Sequence, residues 1–486
     1  MFDQNITATN FHDIYQKECR MGRMSPASAG GGYADAVASY QEARKEYTAL
    51  RRKKRTERTE EDQKEADKLK KTIDNLKEKK ALALDEAMRR LAAEANDRNF
   101  RFHTTYKDVG GKAGLMLDPE KMTLAEPFVM KLLQRNLTRT FKVKQANRHR
   151  IMNDVRRLLE HQHPYYLIRT DVSSFFESIP HNRLLERVTG SPLLSYRTKA
   201  LVRQIVQMCK GDCGIPRGIG VSSPLSEIYM STIDSAIRMR PEVVYYARYV
   251  DDIIILLANL PQGMEIEGYY DKTLVEPFKK KYGLDLKQNG SGKCYLANFN
   301  ITDKPVDFSY LGYSISIWWE DKPKGNSKIY KMCMRMSKRK FDNMKRRIDN
   351  AFRHFTQQSK YNIHEARLDL LDCLRYLTGN MHLTKAKAMA KTGLYYNNAQ
   401  LSSFEDLVEL TDYVHNHDLQ PYDKLFADED AKAAYIGKLR ARLKKFDFVE
   451  AWTERRMFSF KTRRLNQITR WIDEDEKETK EDTPTL

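Results

Sequence analysis

Apolar residues recur every three or four positions from Ala36 to about Ala95, a stretch with no Pro or Gly. Val37, Tyr40, Ala43, Tyr47 and Leu50 form one stripe, and Leu69, Ile73, Leu76, Ala83 and Ala87 form another. Each stripe is one face of an amphipathic helix. The break at "TERTEED" lets the two helices fold back as a hairpin, with the basic run Arg51–Arg55 at its tip. Ahead of it, residues 1–35 carry "MSPASAGGGYAD", which reads as a loop or hinge. Residues 96–318 mix two periods. The runs "PYYLIRTDV", "EVVYYARYV", "DIIILLA" and "FSYLGYSISIWW" are strand-like, and "RHRIMNDVRRLLEHQ", "LSEIYMSTIDSAIRM" and "DKTLVEPFKKKYG" are helical. From about Asn326 the pattern is almost wholly helical, ending in a polar, acidic tail "DEDEKETKEDTPTL" that reads as frayed. The pattern predicts an α+β chain in five segments: 1–35, a charged helical hairpin 36–95, a mixed region 96–315, a helical region 316–400 and a C-terminal helical domain 401–486.

At 486 residues the chain is long enough for several domains. No apolar stretch approaches the ~20 residues of a membrane span, and the N-terminus shows no secretory signal pattern. Of six cysteines only Cys209 and Cys213 lie close in sequence, with no second pair to complete a zinc site. They read as reduced thiols of a cytoplasmic protein. A formal charge of +19 points to a polyanionic partner. The basic run at the hairpin tip then has two readings, a solvated helix end or a grip for RNA or a second copy.

Within the mixed region, Asp251 and Asp252 interrupt a β-branched run, "EVVYYARYVDDIIILLANL". Burying two adjacent carboxylates is costly, and they repel each other. Strand-like residues flank the doublet, which places it at or near a hairpin turn. Alone, such a doublet is an ordinary turn. Asp171, however, ends another apolar run, "YYLIRTDVSSFFESIP". Three carboxylates at strand ends, brought together, would hold two divalent cations roughly 4 Å apart, the arrangement for in-line attack on a phosphate. Hard oxygen ligands favour Mg2+, with Mn2+ as a substitute.

These segments resemble, in order, the motifs of reverse transcriptases. "YVDD" resembles the Tyr-x-Asp-Asp signature, and "DVSSFF" the first catalytic segment. "GIPRGIGVSSPLSEIYM" is similar to the Pro-Gln-Gly … Ser-Pro segment, "YGLDLKQNGSGKCYLANF" to the lysine motif after it, and "FSYLGYSI" to the primer-gripping hairpin. The resemblance implies a right-hand polymerase with fingers and palm over 96–315 and a thumb over 316–400. It implies Asp171, Asp251 and Asp252 as catalytic metal ligands, with the Val172 carbonyl as a further ligand. It places Phe176 under the sugar, where a ring excludes a 2′-hydroxyl and selects dNTPs, with Phe175 beside it. Gly218 is implied to let backbone approach the incoming nucleotide, Ser223 to contact template or nucleotide, and Lys293 to neutralise or protonate the pyrophosphate leaving group. Lys144 and Arg148, with Arg150 next, take the place of the cations that meet the triphosphate. Tyr310, Leu311 and Gly312 take that of the primer grip. Where the family has Gln, this chain has Arg217, whose role stays open between nucleotide contact, template contact and sugar selection.

The tract "LDLLDCLRYLTGNMHLTKAKAMAKTGLYYNNAQLSSFEDLVELTDYV" resembles the helical extension of bacterial abortive-infection and defence-associated (unknown-group) reverse transcriptases, relatives of retron and group II intron enzymes. This implies RNA-directed DNA synthesis in anti-phage defence, with a structured noncoding RNA as template, DNA as product and a homo-oligomer as the assembly. Several alternatives stay open: an RNA polymerase or template-independent transferase on the same palm, protein-primed synthesis, and a non-catalytic RNA-binding protein.

Overall fold

The computed structural model describes residues 2–52, 59–108, 113–161, 163–209, 211–299, 305–321, 328–382 and 391–473. Residues 53–55 of the basic run and 474–486 of the acidic tail lie outside the described residues. The strands are β1 Thr104–Asp108, β2 Ala113–Leu117, β3 Tyr166–Asp171, β4 Val243–Tyr249, β5 Asp252–Leu257, β6 Tyr295–Asn298, β7 Val306–Tyr310, β8 Tyr313–Asp321, β9 Lys328–Met336, β10 Asn380–His382 and β11 Lys391–Gly393. The chain divides into two compact units: residues 1–146, 170–254 and 261–294, and residues 147–169, 255–260 and 295–486. Strands β3 to β6 form a four-stranded sheet of order β4-β5-β3-β6. In β5 every residue from Ile253 to Leu257 is buried, as an inner strand covered on both faces requires.

In the first unit the helical hairpin is Gly31–Arg52 against Glu60–Asn96. A reciprocal cap starts the second helix: the Asp62 N–H donates to Thr59 Oγ1 at 3.2 Å, and the Thr59 N–H donates to Asp62 Oδ2 at 3.0 Å. Most stripe residues are only half-buried, because each helix covers the other and little else. Toward its end the long helix buries Met88, Leu91, Ala92 and Ala95. There it packs on Ala8–Arg20, a helix whose Phe11, Ile14 and Tyr15 are buried. In the expected loop, residues 24–35, a short 3-10 turn at Pro26–Ala29 gives way to helix from Gly31. Gly30, at φ 106°, turns the chain into the first hairpin helix at Gly31.

The second unit holds the sheet β7-β8-β9 and a helical assembly. Strand β9 corrects the expectation of helix from Asn326 onward. Met332, Met334 and Met336 alternate with Lys331, Cys333 and Arg335, and the strand pairs with β8 from Lys328 to Met336. That period of two is a strand's, and it was masked by the strong helix that follows. Helix Lys338–Ser359 packs against Ile363–Thr378, and Thr462–Asp473 covers both through Ile468 and Ile472. Asp406, nearly buried, accepts from the Met336 N–H at 2.7 Å and from Arg335, which fastens helix Glu405–His415 to β9.

Candidate active site

Asp171 is the last residue of β3 and is 3% exposed. Its carbonyl accepts from the Lys287 N–H at 2.9 Å, and the next residue's N–H, that of Val172, donates to the Asp251 carbonyl at 3.2 Å. Thr170, one step earlier, shares a 2.7 Å hydrogen bond with the Tyr270 hydroxyl. The backbone therefore fixes Asp171 beside the β4–β5 turn. In that turn Val250 and Asp251 are the two central residues, and Asp252 opens β5. Val250 stands at φ 60°, where a β-branched residue is strained and a two-residue hairpin favours Gly. The strain is held by Arg248, whose Nη1 donates to the Val250 carbonyl at 2.8 Å.

Arg248 is itself buried, and two carboxylates neutralise it. Nε and Nη2 each reach Asp234 at 2.9 Å, and Nη2 reaches Glu227 at 2.7 Å. The Tyr246 hydroxyl donates to Asp234 at 2.6 Å. Burial works against the guanidinium charge, but the bonds and charges of Asp234 and Glu227 carry its pKa above the ordinary value. The network bolts helix Ser222–Arg238 to the turn that presents Asp251. The sequence reading missed it, although the one arginine in an otherwise apolar and aromatic strand marks a buried charge in need of partners.

Burial and the negative charge of Asp171 push the Asp251 carboxyl up, against its backbone hydrogen bond and the charges of Lys293 and Arg217. The Lys293 ammonium donates to Asp171 Oδ2 at 2.9 Å, and that bond raises the lysine's pKa. The charges of Asp251 and Asp252 add to the same shift. Lys293 is thus the counter-charge for all three acids. Among the described residues no three acid, His or Cys side chains stand in a ready-made metal-holding group. What is assembled is the close pair Asp171 and Asp251, with Asp252 following. Its hard oxygens and mutual repulsion fit a divalent cation.

Phe175 is buried, and Phe176 is half-exposed, with its ring edge-on to Phe175 at 5.3 Å. Arg217 lies over the Phe176 ring, its guanidinium carbon 5.0 Å from the ring centroid. The same guanidinium grips Glu177, Nε to Oε1 at 2.5 Å and Nη2 to Oε2 at 3.1 Å. Glu177 was not singled out in the sequence, since its partner lies forty residues on. Gly218 has φ 93°, and a Cβ there would stand 3.2 Å from the Leu115 carbonyl oxygen, so β2 backbone lies against this loop. Ser223 is exposed in the first turn of helix Ser222–Arg238, and Lys144 is exposed in the segment before Asn147.

The remaining predicted residues belong to the second unit. Leu311 and Gly312, at φ 43° and 76°, form the two-residue turn between β7 and β8, and Tyr310 before them is buried. Arg148 is the first residue of helix Arg148–Glu160, which Asn147 caps. Its Nε donates to the Leu311 carbonyl at 3.0 Å, and Nη2 donates to the same oxygen. In this structure Arg148 therefore braces the β7–β8 turn. Arg150 is exposed and weakly paired with Asp154 at 3.9 Å.

Residues 99–315 match the family described as reverse transcriptase (RNA-dependent DNA polymerase). No curated protein matches the chain. Among solved structures, an apo telomerase from Candida tropicalis is similar at 13% identity and a TM-score of 0.36, over 77% of this chain and 62% of that one. A C-terminally truncated form of that telomerase is similar at 15% identity and 0.32, over 44% and 53%. A Candida albicans telomerase with a fragment of telomeric RNA is similar at 10% and 0.32, over 77% and 64%. Measured on those three chains, this one spans less than two thirds of their length, and the overall likeness is remote. No described helix is long and apolar enough to cross a membrane.

Proposed function

We propose how this chain, which over residues 99–315 carries the domain of an RNA-directed DNA polymerase, uses that domain: it adds dNTPs to a 3′-hydroxyl at Asp171, Asp251 and Asp252. The observation that carries the reading is the Asp171–Asp251 pair inside the matched region, held together by backbone and compensated by Lys293. Reverse transcriptase domains use divalent ions. Two Mg2+ ions held by these carboxylates and the Val172 carbonyl would supply activation of the hydroxyl and neutralisation of phosphate charge. The chain's own groups do the rest. Lys293 keeps its proton next to Asp171, where it can neutralise or protonate departing pyrophosphate. Phe176 presents a half-exposed ring where the family resemblance places the sugar, and there it would exclude a 2′-hydroxyl. Gly218, Ser223 and Lys144 lie on segments open to nucleotide and template. The Leu311–Gly312 turn, braced by Arg148, holds primer.

The finer reading is a cytoplasmic bacterial defence enzyme that copies a structured noncoding RNA into DNA and works as a homo-oligomer. Its support is the helical tract described above and the charge of +19, which suits a polyanion. Labelled dNTP incorporation with Mg2+ tests the chemistry. Purified protein should incorporate label, and Asp251→Ala should not; equal incorporation by the two would overturn it. Sequencing the product separates a copied RNA from untemplated addition. Plating phage on cells carrying the wild-type or the Asp251→Ala chain tests defence, which fails if both protect equally.

A further inference from the structure

We infer that Glu177 and Arg217 form a clamp that fixes the Phe176 ring and thereby sets how strictly this polymerase rejects ribonucleotides. The inference deepens the dNTP reading above and rests on it. Its basis is local. Phe176 is held by its buried neighbour Phe175 and by the loop that carries Ile215 and Arg217. Phe175, buried in the core, meets the ring at its edge. The Phe176 carbonyl accepts from the Ile215 N–H at 2.7 Å, and two residues further along Arg217 covers the ring face. The arginine can stay there because Glu177 takes two of its N–H groups in a fork, which fixes the plane of the guanidinium as well as its position.

The loop that carries Arg217 has little freedom to move away. The Gly214 N–H donates to the Ile179 carbonyl at 2.8 Å, the Ser222 hydroxyl donates to the Pro216 carbonyl, and Gly218 lies against Leu115. A glutamine at 217 would lack both the cation over the ring and the forked bond to the acid. Arginine there thus supplies rigidity to Phe176 that a neutral amide cannot. Both side chains are partly exposed, 27% for Arg217 and 44% for Glu177, so the pair's contribution to overall stability is small. Its contribution is orientation: Glu177 and Arg217 are positioning residues that act through Phe176.

The test measures, on one preparation of each full-length variant, the ratio of rNTP to dNTP incorporation. A ratio cancels any fraction that fails to fold. Phe176→Ala should raise it most. Arg217→Gln and Glu177→Gln should each raise it roughly two- to fivefold, which 0.5–1 kcal/mol of cation–π energy gives at 1.4 kcal/mol per factor of ten. The double variant should match Arg217→Gln alone, since the two residues act as one unit. An open ratio in Phe176→Ala with unchanged ratios in both clamp variants overturns the clamp and leaves the polymerase reading standing. No incorporation by the wild type, or no change in Phe176→Ala, overturns the reading beneath it and the clamp together.

Discussion

Two hairpin turns in this molecule each have an arginine on the carbonyl of their first residue, and they are built in opposite ways. At the β4–β5 turn, Arg248 binds the Val250 carbonyl while Asp234 and Glu227 neutralise it in the core. At the β7–β8 turn, Arg148 binds the Leu311 carbonyl, and among the described residues no carboxylate pairs with it. Its charged neighbour is Lys340, whose pKa burial and Arg148 bring down to about 7. The first turn presents an acid pair and must not shift, so its anchor is charge-balanced and buried. The second is anchored by a guanidinium with no carboxylate on it among the described residues.

The largest test of that contrast is Arg248→Met. It leaves Asp234 and Glu227 buried without their cation, and the expected loss is about 3–5 kcal/mol in urea unfolding. A loss under about 1 kcal/mol would show that the first turn does not depend on a balanced anchor. The paired variants Gly312→Ala and Val250→Gly should move stability in opposite directions. In Gly312→Ala the new Cβ would stand 2.5 Å from Arg148 Nη2 at a φ of 76°, with an expected cost of about 1–2 kcal/mol. Val250→Gly should instead gain about 1 kcal/mol by releasing the strain at φ 60°. Equal signs for the two would break the comparison.

A further effect is a pH dependence. Folding lowers the Lys340 pKa from 10.5 to about 7, so across that window the unfolded chain holds a proton the folded chain has lost. Stability should therefore rise as pH climbs through this window. Lys340→Met should flatten the rise when melting temperatures are compared at about pH 7.5 and about pH 9.5. An unchanged slope would mean that the lysine beside Arg148 is not held in the depressed state.

Much of the architecture was legible before any coordinates. The hairpin stripes from Val37 to Leu50 and from Leu69 to Ala87 appear as facing helices, because a two-helix arm depends on little but its own periodicity. The doublet at 251–252 falls where alternating strand residues stop. The miss at β9 has a local cause: its alternation pairs with β8, the strand just before it, and runs straight into the strong helix Lys338–Ser359. Arg148 carried no local sign that it would turn toward Leu311, which lies 163 positions away.

The sequence by itself determined the residue types and their order: an acid closing one strand, an acid doublet between two others, a ring beside the first and a lysine downstream. Those follow from local patterning, which a single chain segment fully encodes. Tertiary structure alone decided that Lys293 would neutralise Asp171, that Arg248 would brace Val250 from inside the core, and that Arg217 would reach back to Glu177 over the Phe176 ring. The physical reason is that a buried or half-buried charge settles wherever folding places its counter-charge, and that choice is made in space rather than along the chain.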